Sequence, residues 1–213
     1  MRISTPDVGF AARAGTMYAF GVTWSRASLC LVALPLLGGC GERDASALAS
    51  GAGATAGQSG PEVYRGLRAQ ALSTAPETVG VQPGADVAAY GLIADWRMDD
   101  SWQATLVCMV DGTTSLYLSD GGGYVGVGSR EEIASASITA VKLAADAYEH
   151  LARTDEVPDP APNCMRFTLL TSKGKRSAQA WTDELMGGEH PLSTLAAHVQ
   201  GVITLIRESS PGP

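Results

Sequence analysis

Residues 111–129 read DGTTSLYLSDGGGYVGVGS. Six glycines and two aspartates surround a short apolar run, and a helical pattern follows. Such a stretch is either a loop that cradles a phosphate or the turns of a β-sheet. A dinucleotide fingerprint needs a third glycine entering the helix, yet Gly126-Val127-Gly128 is followed by Ser129-Arg130-Glu131. A P-loop needs a lysine after its last glycine, and none stands there. Ser129 and Glu132 have the spacing of a capping box, which puts carboxylates where a bound phosphate belongs. The sheet reading prevails. Asp111-Gly112 is then a hairpin turn, since glycine enters positive φ without a Cβ clash. Thr113 to Ser119 alternates as a strand, 120–123 turns, and 124–127 resumes extended chain.

Working outward, residues 103–110 place Leu106, Cys108 and Val110 on one face and Val107 and Met109 on the other. A strand apolar on both faces belongs inside a sheet that is covered on two sides. Residues 88–97 put Tyr90, Leu92 and Trp96 on one face, and Met98 to Ser101 is a polar turn. Upstream, Ser59-Gly60-Pro61-Glu62 has capping-box spacing, and Val63, Leu67 and Ala71 follow at helical intervals, predicting a helix over 61–73. Residues 76–86, with two prolines and two glycines, read as an irregular connection.

Downstream, Ile133, Ala136, Ala140, Leu143, Ala144, Ala147 and Leu151 form one stripe, predicting a helix from Arg130 to about Arg153. Residues 154–163, TDEVPDPAPN, are a proline-rich acidic loop. Strands follow over 164–172 and 175–183, around a Lys173-Gly174 turn, the second ending near Trp181. After a turn at 186–190, Pro191 opens a last helix with Leu192, Leu195, Ala196, Val199, Val202, Ile203 and Ile206 inward. The fold class expected is α+β: a five-stranded, mainly antiparallel sheet with helices packed on it, in the order α-β-β-β-α-β-β-α. One domain spans 61–208, with its core from 86 to 208.

The N-terminal region is of another kind. Residues 1–26 hold Arg2, Arg13 and Arg26 against one acid, Asp7. Residues 27–37, ASLCLVALPLL, are apolar, and Gly38-Gly39-Cys40 follows. This is a signal peptide over 1–39, with an apolar run too short to span a bilayer. Met17 is an alternative start. Residues 41–60 are almost entirely small or charged and cannot bury enough surface to offset their ordering entropy, so 40–60 is a flexible linker.

Leu37-Gly38-Gly39-Cys40 resembles the lipobox of bacterial lipoprotein precursors. That resemblance implies that Cys40 carries a diacylglycerol and becomes the mature N-terminus. It also implies export, a membrane anchor and a domain facing the periplasm. Gly41, in place of an aspartate, favours the outer membrane of a Gram-negative cell. The element order of the domain resembles profilin-like folds, roadblock and longin domains among them, and implies pairing through a sheet edge at 124–128. The strings DGTTSLY at 111–117, GGG at 121–123 and HPLS at 190–193 resemble an uncharacterised bacterial family, a resemblance that implies no activity.

Charge narrows the partners. The chain carries −7, and loss of residues 1–39 leaves −9. With no basic run, nucleic acid is not an expected partner. The expected partners are the membrane, through lipid, and a protein or a second copy of the chain. Export permits a disulfide between Cys108 and Cys164, two buried free thiols being the alternative. No catalytic, cofactor or metal set is expected. Asp95, Asp99 and Asp100 cluster with Arg97, but turn aspartates of this kind shape turns. His190, Ser193 and Asp183 make the least poor triad, without the surrounding glycines of a nucleophile elbow. His150 closes a helix, and His190 and His198 lack the i, i+4 spacing of a helical metal pair. The function expected is a non-enzymatic binding or assembly module tethered to the envelope. The alternative is a hydrolase using the carboxylates or the His and Ser residues.

Overall fold

The computed structural model describes residues 59–82, 84 and 86–209. The expected signal peptide, Cys40 and nearly all of the 40–60 linker lie outside the described residues. Along the chain run α1 (Gly60–Leu72), β1 (Ala89–Arg97), β2 (Gln103–Met109), β3 (Thr114–Leu118) and β4 (Gly123–Tyr124). Then come α2 (Glu131–Asp146), β5 (Ala152–Thr154), β6 (Cys164–Thr171), β7 (Gly174–Trp181), α3 (Thr182–Gly187) and α4 (Ser193–Ser209). The strands form one antiparallel sheet in the order β4-β3-β2-β1-β6-β7-β5. The class is α+β, as expected, but the sheet has seven strands rather than five and the element order differs.

The opening stretch is sheet. Gly112 turns the β2–β3 hairpin at φ 87°, and its N–H donates to the Met109 carbonyl at 3.0 Å. Gly128 lies against that turn, where a Cβ would come 2.1 Å from the Gly112 carbonyl oxygen. These glycines serve chain turning and close packing. The capping box at 129–132 does not form. Ser129 sits in a 3-10 turn, and Arg130 is the N-cap of α2 with no side-chain cap. The box at Ser59 does form, with the Glu62 carboxylate accepting from the Ser59 N–H at 2.7 Å and hydroxyl at 2.9 Å.

Helices cover both faces of the sheet. On one face Leu92, Leu106, Leu116, Phe167 and Leu169 meet Ile133, Ala140 and Ala144 of α2 and Leu195, Val199, Val202 and Ile206 of α4. Burying each such aliphatic side chain stabilises by about 1.5–3 kcal/mol. Among the described residues His198 joins the two helices, its Nε2 lying 2.8 Å from the Ala136 carbonyl. On the other face α1 brings Tyr64 and Ala71 against Ile93, Val107, Met109, Tyr117 and Leu170. Every residue of β2 is buried, as a strand between two layers must be. The buried stripe of α1 is Tyr64, Arg68 and Ala71, so the helix is rotated from the expected Val63, Leu67, Ala71 face.

Further differences have physical causes. A bulge between Ala89 and Gly91 turns Tyr90 to the α1 face, away from Leu92 and Trp96. α2 stops at Asp146 rather than near Arg153, because β7 captures the exit. Arg176 donates from Nε to the Leu151 carbonyl at 2.7 Å and lies 4.0 Å above the Tyr148 ring. A 3-10 turn at Tyr148–His150 then leads into β5. The last strand ends at Trp181, and 182–187 form α3, with Asp183 and Glu184 in its first turn and Gly188 left-handed at its C-cap.

Cys108 and Cys164 are free buried thiols, the alternative to the disulfide that export would permit. Cys108 pairs with Leu92 and Cys164 with Arg97 on opposite sides of β1. Strand spacing and rise then separate them by roughly 19 Å, beyond the ~7 Å span of a disulfide. Among the described residues no helix is long and apolar enough to cross a membrane.

Candidate functional site

Several polar residues of the α1 face fall in one cross-strand row. Strand register places Tyr117 beside Thr105, Thr105 beside Asp95, Asp95 beside Arg166 and Arg166 beside Gln179. Asp95 is fully buried in the middle of β1. An unpaired carboxylate there would be strongly unfavourable, so the chain must supply a counter-charge.

Arg68 supplies it from the buried stripe of α1. Its Nε and Nη2 donate to the two Asp95 oxygens at 2.9 and 2.7 Å, a bidentate pair. Thr105 donates its hydroxyl to Asp95 Oδ1 at 2.6 Å. Its proton being committed, Thr105 accepts from Tyr64, 2.8 Å away. Three donors thereby engage both oxygens of the carboxylate. Burial pulls the Arg68 guanidinium down, but the hydrogen bonds and charge of Asp95, with Asp159 beyond, outweigh it and leave it raised. Burial, with the Asp95 charge nearby, pushes the Tyr64 hydroxyl well above its ordinary value. Arg166 is lowered, by burial first and then by the Arg68 charge. Its Nε has no hydrogen-bond partner among the described residues, while its Nη2 donates to Gln179 at 2.8 Å.

The same clamp fastens the proline-rich loop. Arg68 reaches the carbonyls of Val157 and Pro158 at 3.3 Å, and Arg97 reaches that of Pro160 at 3.3 Å. Gln179 accepts from the Ala161 N–H at 3.1 Å. The loop lies as a strap beside α1. Between them opens a cleft of about 540 Å³, walled by Arg65, Arg68, Leu72, Val157, Asp159 and Lys175. A neighbouring cleft of about 290 Å³, toward Trp102 and Gln103, shares Arg65 and Asp159 with it.

Of the residues singled out from sequence, Arg97, Asp99 and Asp100 meet at the β1–β2 turn, while Asp95 lies under α1. Asp99 shapes the β1–β2 turn, accepting from the N–H groups of Ser101 and Trp102 at 2.7 and 2.8 Å and from the Ser101 hydroxyl. Those bonds hold its carboxyl below the ordinary value. Asp100 is exposed, 3.8 Å from Arg97. His190 accepts the Leu192 N–H on Nδ1 at 3.1 Å, and Ser193 is buried with its hydroxyl unpartnered. Asp183 is exposed on α3, and His150 is exposed in the 3-10 turn after α2. Trp96 and Trp102 pack on the main core, whereas Trp181 is exposed. Among the described residues no cluster of His, Cys, Asp or Glu has the makings of a metal site.

No family model, curated protein or solved structure matches the chain. The site therefore rests on its own geometry. Sequence reasoning placed Asp95 with the turn aspartates and passed over Arg68. Two signals were present: an acid inside the apolar run LIADW at 92–96, and an arginine four residues after Tyr64 and three before Ala71. A charge on an apolar stripe calls for a partner, and each of these is the other's.

Proposed function

We propose that the chain is a bacterial envelope lipoprotein, anchored through Cys40 and the 41–60 tether, whose folded domain binds a partner rather than transforming one. The observation that carries the binding half is the use made of Asp95. Three donors hold both oxygens of its carboxylate under α1, and the opposing Arg68 grips loop carbonyls. This arrangement fixes shape, and it builds the wall of an open cleft from groups that bind without reacting. The anchor half is supported by Leu37-Gly38-Gly39-Cys40 directly after an apolar run, with the small-residue tract behind it.

Metabolic labelling with a palmitate analogue tests the anchor. Wild type takes label and Cys40→Ser does not; equal label in both overturns the lipoprotein reading. A photo-crosslinking amino acid in place of Ser73, on the cleft wall, tests the binding half in cells. The expected result is a discrete adduct from that position and none from Thr204 on α4. Equal adducts, or none, overturn it.

A further inference from the structure

We propose that the cleft between α1 and the 155–160 strap is a site for a carboxylate-bearing ligand with a short apolar group beside the acid. This deepens the binding-module reading and rests on it. The cleft wall carries Arg65, Arg68 and Lys175 against one acid, Asp159, in a chain of net charge −7. The Lys175 ammonium forms no ion pair or hydrogen bond among the described residues. Arg65 spends only its Nε, on the Pro61 carbonyl at 3.1 Å, and nearby Glu62 is already engaged by Ser59. Arg65 and Lys175 thus have donors to spare, and Arg68 has one that Asp159 holds.

The chain itself indicates the ligand. The Asp159 carboxylate stands 3.4 Å from Arg68 Nη1 and 3.4 Å from Gln103 Nε2, both long contacts, and its side chain is 54% exposed. It occupies the place of a ligand carboxylate while being held loosely enough to yield. Arg68 cannot move, because Asp95 fixes the plane of its guanidinium, so that donor is preset. Ala69, Leu72, Val157 and Pro158 supply apolar wall next to it. A planar carboxylate suits the fixed fork of the Arg68 guanidinium. The volume suits a small organic acid or the end of a peptide.

The test is amide chemical-shift mapping on the full chain in neutral detergent micelles, with N-acetyl-leucine, N-acetyl-leucinamide and inorganic phosphate as probes. N-acetyl-leucine is expected to shift residues 65–72 and 157–159, and the amide is not. Asp159→Asn removes the resident competitor and tightens binding by about three- to tenfold. The double variant Arg65→Ala/Lys175→Ala weakens it by about tenfold with an unchanged melting temperature. Equal shifts from acid and amide, no localised shift, or weaker binding by Asp159→Asn would overturn the proposal. Phosphate shifting the same residues as strongly as the acid also overturns it, by showing a cation patch without carboxylate preference. Labelling at Cys40 reads the anchor alone, so an acylated chain without localised shifts loses this site and keeps its anchor.

Discussion

The two faces of the sheet solve the burial problem differently. Under α2 and α4 the core is apolar and close-packed, with Phe167, Leu106 and Leu169 wholly hidden. Under α1 the apolar patch around Ile93 and Val107 gives way to the row Thr105–Asp95–Arg166–Gln179. Dispersion and area hold the first face, and any well-shaped apolar residue serves it. The second face depends on a pair of ions that is stable only while complete. The two clefts that share Arg65 and Asp159 lie on the second face.

The largest expected effect is therefore on Asp95. Asp95→Ala leaves the Arg68 guanidinium buried without its anion and is expected to cost about 3–5 kcal/mol, read from the urea midpoint. A cost below ~1 kcal/mol would show the pair to be as dispensable as a surface one. Arg68→Met/Asp95→Leu removes both charges together and should return to within about 1 kcal/mol of wild type. Its strap, no longer gripped at Val157 and Pro158, should exchange amide protons faster. Leu106→Ala, on the opposite face, is expected to cost about 2–5 kcal/mol, with no rescue by a second truncation. Rescue on one face and none on the other is the signature of the two designs.

The same contrast explains what the sequence discloses. Leu92, Leu106 and the α4 stripe are legible because one rule, apolar periodicity, governs both pattern and packing. β4 and β5 span two and three residues, too few to show a period, and exist only through pairing with β3 and β7. The end of α2 is set by Arg176, which arrives from another strand and takes the Leu151 carbonyl. Nothing between residues 147 and 151 announces it. On the α1 face the buried stripe includes Tyr64 and Arg68, residues counted as polar, so the pattern reads one position out of phase. The pair that builds the site is separated by 27 residues, and only the fold brings it together.

A second, smaller test concerns alkaline pH. Burial beneath the helices pushes the Cys108 thiol up to about 12, from an ordinary value of 9.0. A raised thiol favours the folded state fully below pH 9 and loses that contribution as pH climbs toward 12. Stability should fall by about 1–2 kcal/mol near pH 10.5 from this group. Cys108→Ala should lower stability at neutral pH through its cavity, yet flatten the alkaline slope. Buried Tyr64 and Tyr117 are also raised by burial, so part of the slope belongs to the α1 face and persists in that variant. Denaturation midpoints at pH 8 and pH 10.5 separate the two. An unchanged slope would place the alkaline response on the tyrosines and on Cys164, which burial also raises.

The smallest effect expected is at the start of α1, where the cleft-bearing helix is held by its capping box. The Glu62 carboxyl lies below its ordinary value of 4.5, chiefly because the Ser59 N–H and hydroxyl donate to it. A depressed carboxyl supports the fold above that ordinary value, and the support is lost as pH falls through the lower, folded value. Glu62 is fully exposed to solvent, so the global midpoint should hardly move. The change should be local. Glu62→Gln is expected to speed amide exchange at residues 62–64 at neutral pH and to abolish the acid-dependent fraying expected there in wild type. Exchange at Arg68, pinned by Asp95 from the sheet, should not follow. If it does, α1 opens as one piece, and the clamp that shapes the cleft is weaker than the capping box at its end.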